Sequence, residues 1–181
     1  MHSQTKIEYA PSYDIILEAY QYQDAGKYEE AIELYEKVYE GDSLFFLYAL
    51  PQKMTCYVAN EEYDKARELG LKYWYFRDKL PTEYYLVYGT ALDNLEEYEE
   101  VQEMYTYVLK EFPTNYSLWY NYAISLSLSG QHDKAYDVMK KTVMINPFYD
   151  RIHYLLGLYS LNEKQTSKAL MSFGMYLILS S

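Results

Sequence analysis

Apolar and polar positions along the chain alternate at helical spacing in one phrase that returns five times. The phrase begins at Lys27 (KYEEAIELYEKVYE), Glu62 (EYDKARELGLKYW), Glu97 (EYEEVQEMYTYVL), Gln131 (QHDKAYDVMKKTV) and Gln165 (QTSKALMSFGMYL). Ala31, Ala66, Val101, Ala135 and Ala169 mark equivalent places, at steps of 35, 35, 34 and 34 residues. A period of about 34 residues is the signature of stacked helix-turn-helix units. Each unit is too small to bury its own apolar face and needs neighbours.

Every period divides into two amphipathic helices. In the fourth, Asn115 or Ser117 can cap a first helix that ends at Gly130, a residue suited to a left-handed terminus. The second helix runs from Asp133 to Asn146-Pro147, where proline stops it. Trp119, Tyr122, Ala123 and Leu126 share one face of the first helix, and Ala135, Met139 and Val143 one face of the second. Alanine at 123 and 135 lets two helix axes approach closely. In the second unit, Pro51 leaves two readings. Either the first helix starts near Leu47, or it starts near Ser43 and kinks at the proline. Gly70 replaces a large packing residue there and Met54 a small one, so bulk has moved across the same seam.

These positions resemble the tetratricopeptide repeat (TPR) phrase W-x2-L-G-x2-Y…A-x3-F…P. The fourth unit gives Trp119-x2-Tyr122-Ala123-x2-Leu126, Ala135-x3-Met139 and Pro147; the third gives Tyr85-x2-Tyr88-Gly89-x2-Leu92, Val101-x3-Tyr105 and Pro113. The first, second and fifth keep the phase around Ala19 and Ala31, Met54 and Ala66, and Gly157 and Ala169. The resemblance implies an all-α solenoid of five antiparallel helix pairs in a right-handed superhelix. A flexible lead over 1–11 would precede one TPR domain over 12–181, with units at about 12–46, 47–81, 82–115, 116–149 and 150–181.

In such a solenoid the first helices line a concave groove. Carried over residue by residue, the groove positions are Tyr13, Ile16 and Tyr20; Tyr48, Thr55 and Val58; Glu83, Thr90 and Asp93. The last two units add Ser117, Tyr120, Ile124 and Ser127, then Arg151, Tyr154 and Leu158. Some relatives in the family clamp acidic C-terminal tails with lysine, asparagine and arginine. Here those places hold Ile16, Tyr20, Thr55, Leu86 and Thr90, which cannot neutralise a carboxylate. The expected ligand is therefore a peptide segment or protein surface received by a tyrosine-rich groove. The alternative is a structural spacer or oligomerisation domain of a larger regulatory or membrane-associated protein.

Composition sharpens this picture in three places. Tyrosine is the first: 26 residues in 181, each a large apolar ring with a polar tip suited to seams and contact surfaces alike. Charge is the second. Residues 1–115 hold 23 acidic and 10 basic residues (net −13) and residues 116–181 hold 4 and 6 (net +2). That surface repels phosphate backbones, so no nucleic-acid partner is expected. Much of the acid stands at helix starts, where it complements the dipole. The third is the chemistry left out. His2, His132 and His153 are not at metal-ligand spacing, Cys56 lacks an activating base, and no phosphate loop or metal motif appears. No enzyme activity, cofactor or metal is expected. No apolar run reaches the roughly 20 residues that span a bilayer, so membrane insertion is not expected; the single cysteine, Cys56, fits a reducing compartment, and the expected location is cytoplasmic. The last helix, with Leu170, Met171, Tyr176, Leu177, Ile178 and Leu179, has more apolar residues than one packed face can use. That excess predicts a fragment of a longer protein or self-association through the C-terminal unit.

Overall fold

The computed structural model describes residues 11–41 and 43–181. The expected flexible lead lies outside them, except for Pro11, which opens the first helix. The described residues form ten α-helices: α1 (Pro11–Asp24), α2 (Tyr28–Tyr35), α3 (Ser43–Ala59), α4 (Tyr63–Tyr73), α5 (Thr82–Asn94), α6 (Tyr98–Glu111), α7 (Tyr116–Leu128), α8 (His132–Ile145), α9 (Asp150–Asn162) and α10 (Thr166–Leu179). A 3₁₀ segment, Trp74–Lys79, follows α4. The chain divides into two compact units, one ending at Ala91 and the other spanning Leu92–Ser181. In the first, α1 packs on α2 and α3, α2 on α3, and α3 on α4; in the second, α6 through α10 pack each on the next.

One turn design recurs between the two helices of every repeat. Gly26, Glu61, Glu96, Gly130 and Lys164 all have φ between 57° and 77°. Around each, the next backbone N–H reaches back five residues. Lys27 bonds Tyr22 O at 2.9 Å, Glu62 bonds Tyr57 O at 2.8 Å, and Gln131 bonds Leu126 O at 2.8 Å. This double closure of orphan carbonyls is the Schellman motif. It leaves the N-cap of each following helix without a side-chain cap. In α2, α4, α6 and α8 acidic residues in the first turn, Glu29 and Glu99 among them, complement the dipole instead. At α7 the cap is a side chain: Asn115 accepts a hydrogen bond from the Leu118 N–H at 3.1 Å.

Small residues sit where helices meet. Ala31 and Ala49 join Ile16, Ile32 and Tyr35 in the core of the first unit, while Ala123 and Ala135 join Leu126, Met139 and Ile152 in the second. Each fully buried leucine or isoleucine in these clusters contributes about 1.5–3 kcal/mol of apolar burial. α3 starts at Ser43 and carries Pro51 within it, so the longer of the two readings of that segment is the one adopted. The void beside Gly70 is filled from α5: a Cβ on Gly70 would lie 2.3 Å from the Tyr88 ring. The Tyr84 hydroxyl donates to the Gly70 carbonyl.

Two elements depart from the repeat pattern. α2 stops at Tyr35, short of the apolar-polar phrase that runs to Glu40, because the ladder tightens to three-residue spacing. Lys37 bonds Leu34 O at 3.0 Å and Val38 bonds Tyr35 O at 3.2 Å, and the tighter turn brings Val38 into the core. The 3₁₀ segment keeps Trp74 over Tyr85, edge to face at 6.3 Å, and leaves Tyr75 and Phe76 exposed.

Candidate functional site

In the first unit, α1 and α3 pack against each other and enclose a cleft of about 450 Å³ lined by Tyr13, Ile16, Leu17, Tyr20, Leu44, Phe45 and Tyr48. Tyr13, Leu17 and Tyr20 recur at helical spacing on α1, so one face of the helix presents all three. Opposite them α3 supplies Leu44, Phe45 and Tyr48, and Tyr13 meets Phe45 edge to face at 6.1 Å. Ile16 is buried, but Tyr20 and Tyr48 are each 49% exposed and Leu44 is 75% exposed.

The helix that forms one wall of this cleft, α1, is acidic. Every charged residue of α1 (Asp14, Glu18 and Asp24) is an exposed acid. The one basic side chain of α3, Lys53, is held by Glu36 at 2.8 Å.

The sequence-derived groove positions fall into three groups. Tyr13, Tyr20 and Tyr48, with Ile16, come together in the cleft. Thr55, Glu83 and Thr90 do not line it. The Thr55 and Thr90 hydroxyls bond back to Pro51 O and Leu86 O within their own helices, and Glu83 is an exposed acid in the first turn of α5. Apart from Val58 on α3, the remaining positions lie in the second unit. Tyr120 packs edge to face on Tyr149 at 5.2 Å, and Tyr154 meets Phe173 at 5.9 Å and Tyr176 at 5.3 Å. Burial raises the Tyr120 and Tyr149 hydroxyls above the ordinary tyrosine range, and the Arg151 guanidinium draws both partly back. Ile124 is half-buried and Leu158 exposed on the same helices.

Leu17, Leu44 and Phe45 were not among the sequence-derived positions. The 13/17/20 spacing would have flagged Leu17, whereas Leu44 and Phe45 required knowing that α3 begins at Ser43.

Asp93 is not an open groove residue. Its Oδ1 is buried, as are the hydroxyls of Tyr105 and Ser125, and none of the three finds a well-formed hydrogen bond. Burial pushes the Asp93 carboxyl up to about 6, against a pull from Ser125.

Other reactive groups are structural. Burial raises the Cys56 thiol to about 11, which keeps it protonated and inert. His153 is buried with Nε2 donating to the Pro147 carbonyl at 2.8 Å. One repeat earlier, Trp119 Nε1 donates to Pro113 O at 2.9 Å, so histidine reproduces the indole's role. Among the described residues, no cluster of His, Cys, Asp or Glu could hold a metal ion, and no helix is long and apolar enough to cross a membrane.

Residues 95–159 match the family model described as Tetratricopeptide repeat. Two solved structures share the fold across nearly the whole chain. One is the 41-to-end portion of MamA from Desulfovibrio magneticus RS-1, with a TM-score of 0.73 and 16% identity, covering 93% of this chain and 94% of that one. The other is a thermophilic TPR protein of Thermus thermophilus, with a TM-score of 0.77 and 17% identity, covering 93% and 91%. Residues 95–159 are tetratricopeptide repeats, and the fold of the described residues is that of the TPR solenoids. No curated protein matches this chain. The helix pairs, the left-handed turns at constant phase and the alanines at 31, 66, 135 and 169 are therefore the TPR framework.

Proposed function

We propose that this TPR protein is an interaction scaffold that seats a peptide segment in the aromatic cleft between α1 and α3. The observation that carries the reading is the cleft itself: exposed apolar and aromatic side chains from two adjacent first helices, with tyrosine hydroxyls at the edge. Rings of this kind bury apolar side chains while their hydroxyls bond a peptide backbone. The acidic charge of α1 selects the occupant. Asp14, Glu18 and Asp24, with no free cation on α1 or α3 to offset them, favour an apolar segment flanked by lysine or arginine. The tyrosines of the second unit already lie against Tyr149, Phe173 and Tyr176, so Tyr120, Arg151 and Tyr154 are assigned a supporting contact at most.

A pair of labelled peptides tests this, each with a Leu-Tyr-Leu centre, one flanked by lysines and the other by glutamates. Fluorescence anisotropy should show the lysine-flanked peptide binding more tightly, with an affinity that falls as salt rises. Tyr20→Ala and Leu44→Ser should each weaken it by about 1–2 kcal/mol, the cost of truncating a central contact, with helicity unchanged. Equal binding of the two peptides would remove the charge argument. Full binding by both variants would remove the cleft.

A further inference from the structure

α10 turns an apolar face outward at positions that are exposed and mostly polar in the other repeats. Counted from the alanine or valine that marks each repeat, Met171 stands where the others carry Glu33, Glu68, Glu103 and Asp137. Met175 stands where they carry Lys37, Lys72, Tyr107 and Lys141. Gly174 answers to Glu36, Leu71, Thr106 and Lys140, and Ile178 to Glu40, Tyr75, Lys110 and Met144. All of these counterparts except the half-buried Tyr107 are exposed or nearly so. A further repeat stacked after α10 would therefore leave this face open. Leu170 and Leu177 stand at places that earlier repeats bury in part: Ile32 and Leu109 are buried there, while Tyr39, at the Leu177 place, is 73% exposed. Met171 and Ile178 are 74% and 69% exposed.

Gly174 indicates what kind of group covers the face. A glycine inside a helix costs stability, and here nothing in the protomer needs one, because a Cβ at 174 would meet no atom within 4 Å. Gly157, by contrast, makes room for the Phe173 ring. A glycine amid exposed methionine and isoleucine suits the close approach of another helix backbone.

We infer that the outer face of α10 is a homodimer interface, in which two copies of α10 cross antiparallel at Gly174. A two-fold contact uses the same patch on both sides, so one glycine serves both helices. The single charge of α10 is Lys168. An antiparallel crossing sets it opposite residue 180 of the partner helix, at the carbonyl-rich end that attracts a cation. A parallel crossing would set the two lysines side by side. The acid that other repeats carry at the Met171 place would lie inside the interface, and α10 lacks it. A cleft of about 470 Å³ between α8 and α10, bordered by Met144, Leu156 and Met171, lies beside the crossing and can receive the partner copy's apolar side chains.

Sedimentation velocity of the full chain, from low to high micromolar concentration, tests the inference. The wild type should pass from monomer to dimer. Gly174→Leu should weaken the dimer by about tenfold or more, while its melting midpoint stays level or rises. Met171→Glu, which restores the residue type of the other repeats, should do the same. Nonspecific association of an exposed apolar helix predicts the reverse for Gly174→Leu, since the variant adds apolar surface. A monomer at every concentration, or a dimer indifferent to both variants, overturns the inference. So does a monomer that co-sediments with phosphatidylserine-containing vesicles and loses that binding in Met171→Glu.

Discussion

Replacing Asp93 with asparagine should stabilise this protein, and by an amount that depends on pH. The carboxyl stands at the end of α5 with its Oδ1 buried, near the hydroxyls of Tyr105 and Ser125. Burial raises it from an ordinary 3.8 to about 6. A carboxyl raised in the folded state holds its proton more tightly there than in the unfolded chain. Well below pH 3.8 both states are protonated and the site carries no penalty. As pH climbs from about 4 through 6 the unfolded chain ionises first, and stability falls until the folded carboxyl has ionised too. A rise of that size corresponds to about 3 kcal/mol, an upper limit because Asp93 is only partly buried; about 1–2 kcal/mol is the expected loss. Asparagine has nothing to ionise, so Asp93→Asn should exceed wild type by that amount at pH 7.5 and by little at pH 4. Urea unfolding of both proteins at the two pH values measures the difference. Taking the difference cancels the opposite slope from Glu29, Glu40 and Glu62, whose hydrogen bonds lower their carboxyls. A gap between the two proteins that does not change with pH would refute the reasoning.

Two substitutions probe the repeat framework. Ala135→Leu forces bulk into a fully buried helix crossing beside Ala123 and Met139 and should cost about 1–3 kcal/mol; an unchanged melting midpoint would show that the crossing is not tight. Gly130→Ala should cost about 1–2 kcal/mol from backbone conformation alone, since φ is 77° and the added Cβ meets no atom within 4 Å. Gly130→Asn, which tolerates that conformation, should cost less, and a urea midpoint for alanine equal to wild type would remove the left-handed turn from the account.

The framework was legible because it is local and repeated. Asn115 as cap, Gly130 as turn and the paired alanines follow from the residues themselves, and five copies in phase leave little room for another reading. What escaped is long-range or non-repeating. The Tyr88 ring that fills the space at Gly70 comes from 18 residues away, and sequence reasoning looked for that bulk at Met54. Nothing in the phrase distinguishes Glu61, Glu96 and Lys164, which adopt the glycine conformation without being glycine. The Schellman bonds impose it, and local propensity yields.

The candidate site divides in the same way. Family phase placed Tyr13, Tyr20 and Tyr48 correctly on first helices, but phase assigns a direction to a side chain, not a neighbour. Tyr20 finds open space beside Leu17 and Leu44, whereas Tyr154, equally favoured by phase, meets two aromatic rings of α10. Two tyrosines on first helices, each about half exposed, thus have different surroundings in the two units. The residue that decides is the one across the gap. In α3 it is the leucine one turn before Tyr48, and in α10 it is Phe173, which itself occupies the room left by Gly157. Under the proposed reading, binding specificity on a repeat framework is therefore set by the partners of the periodic positions rather than by those positions themselves.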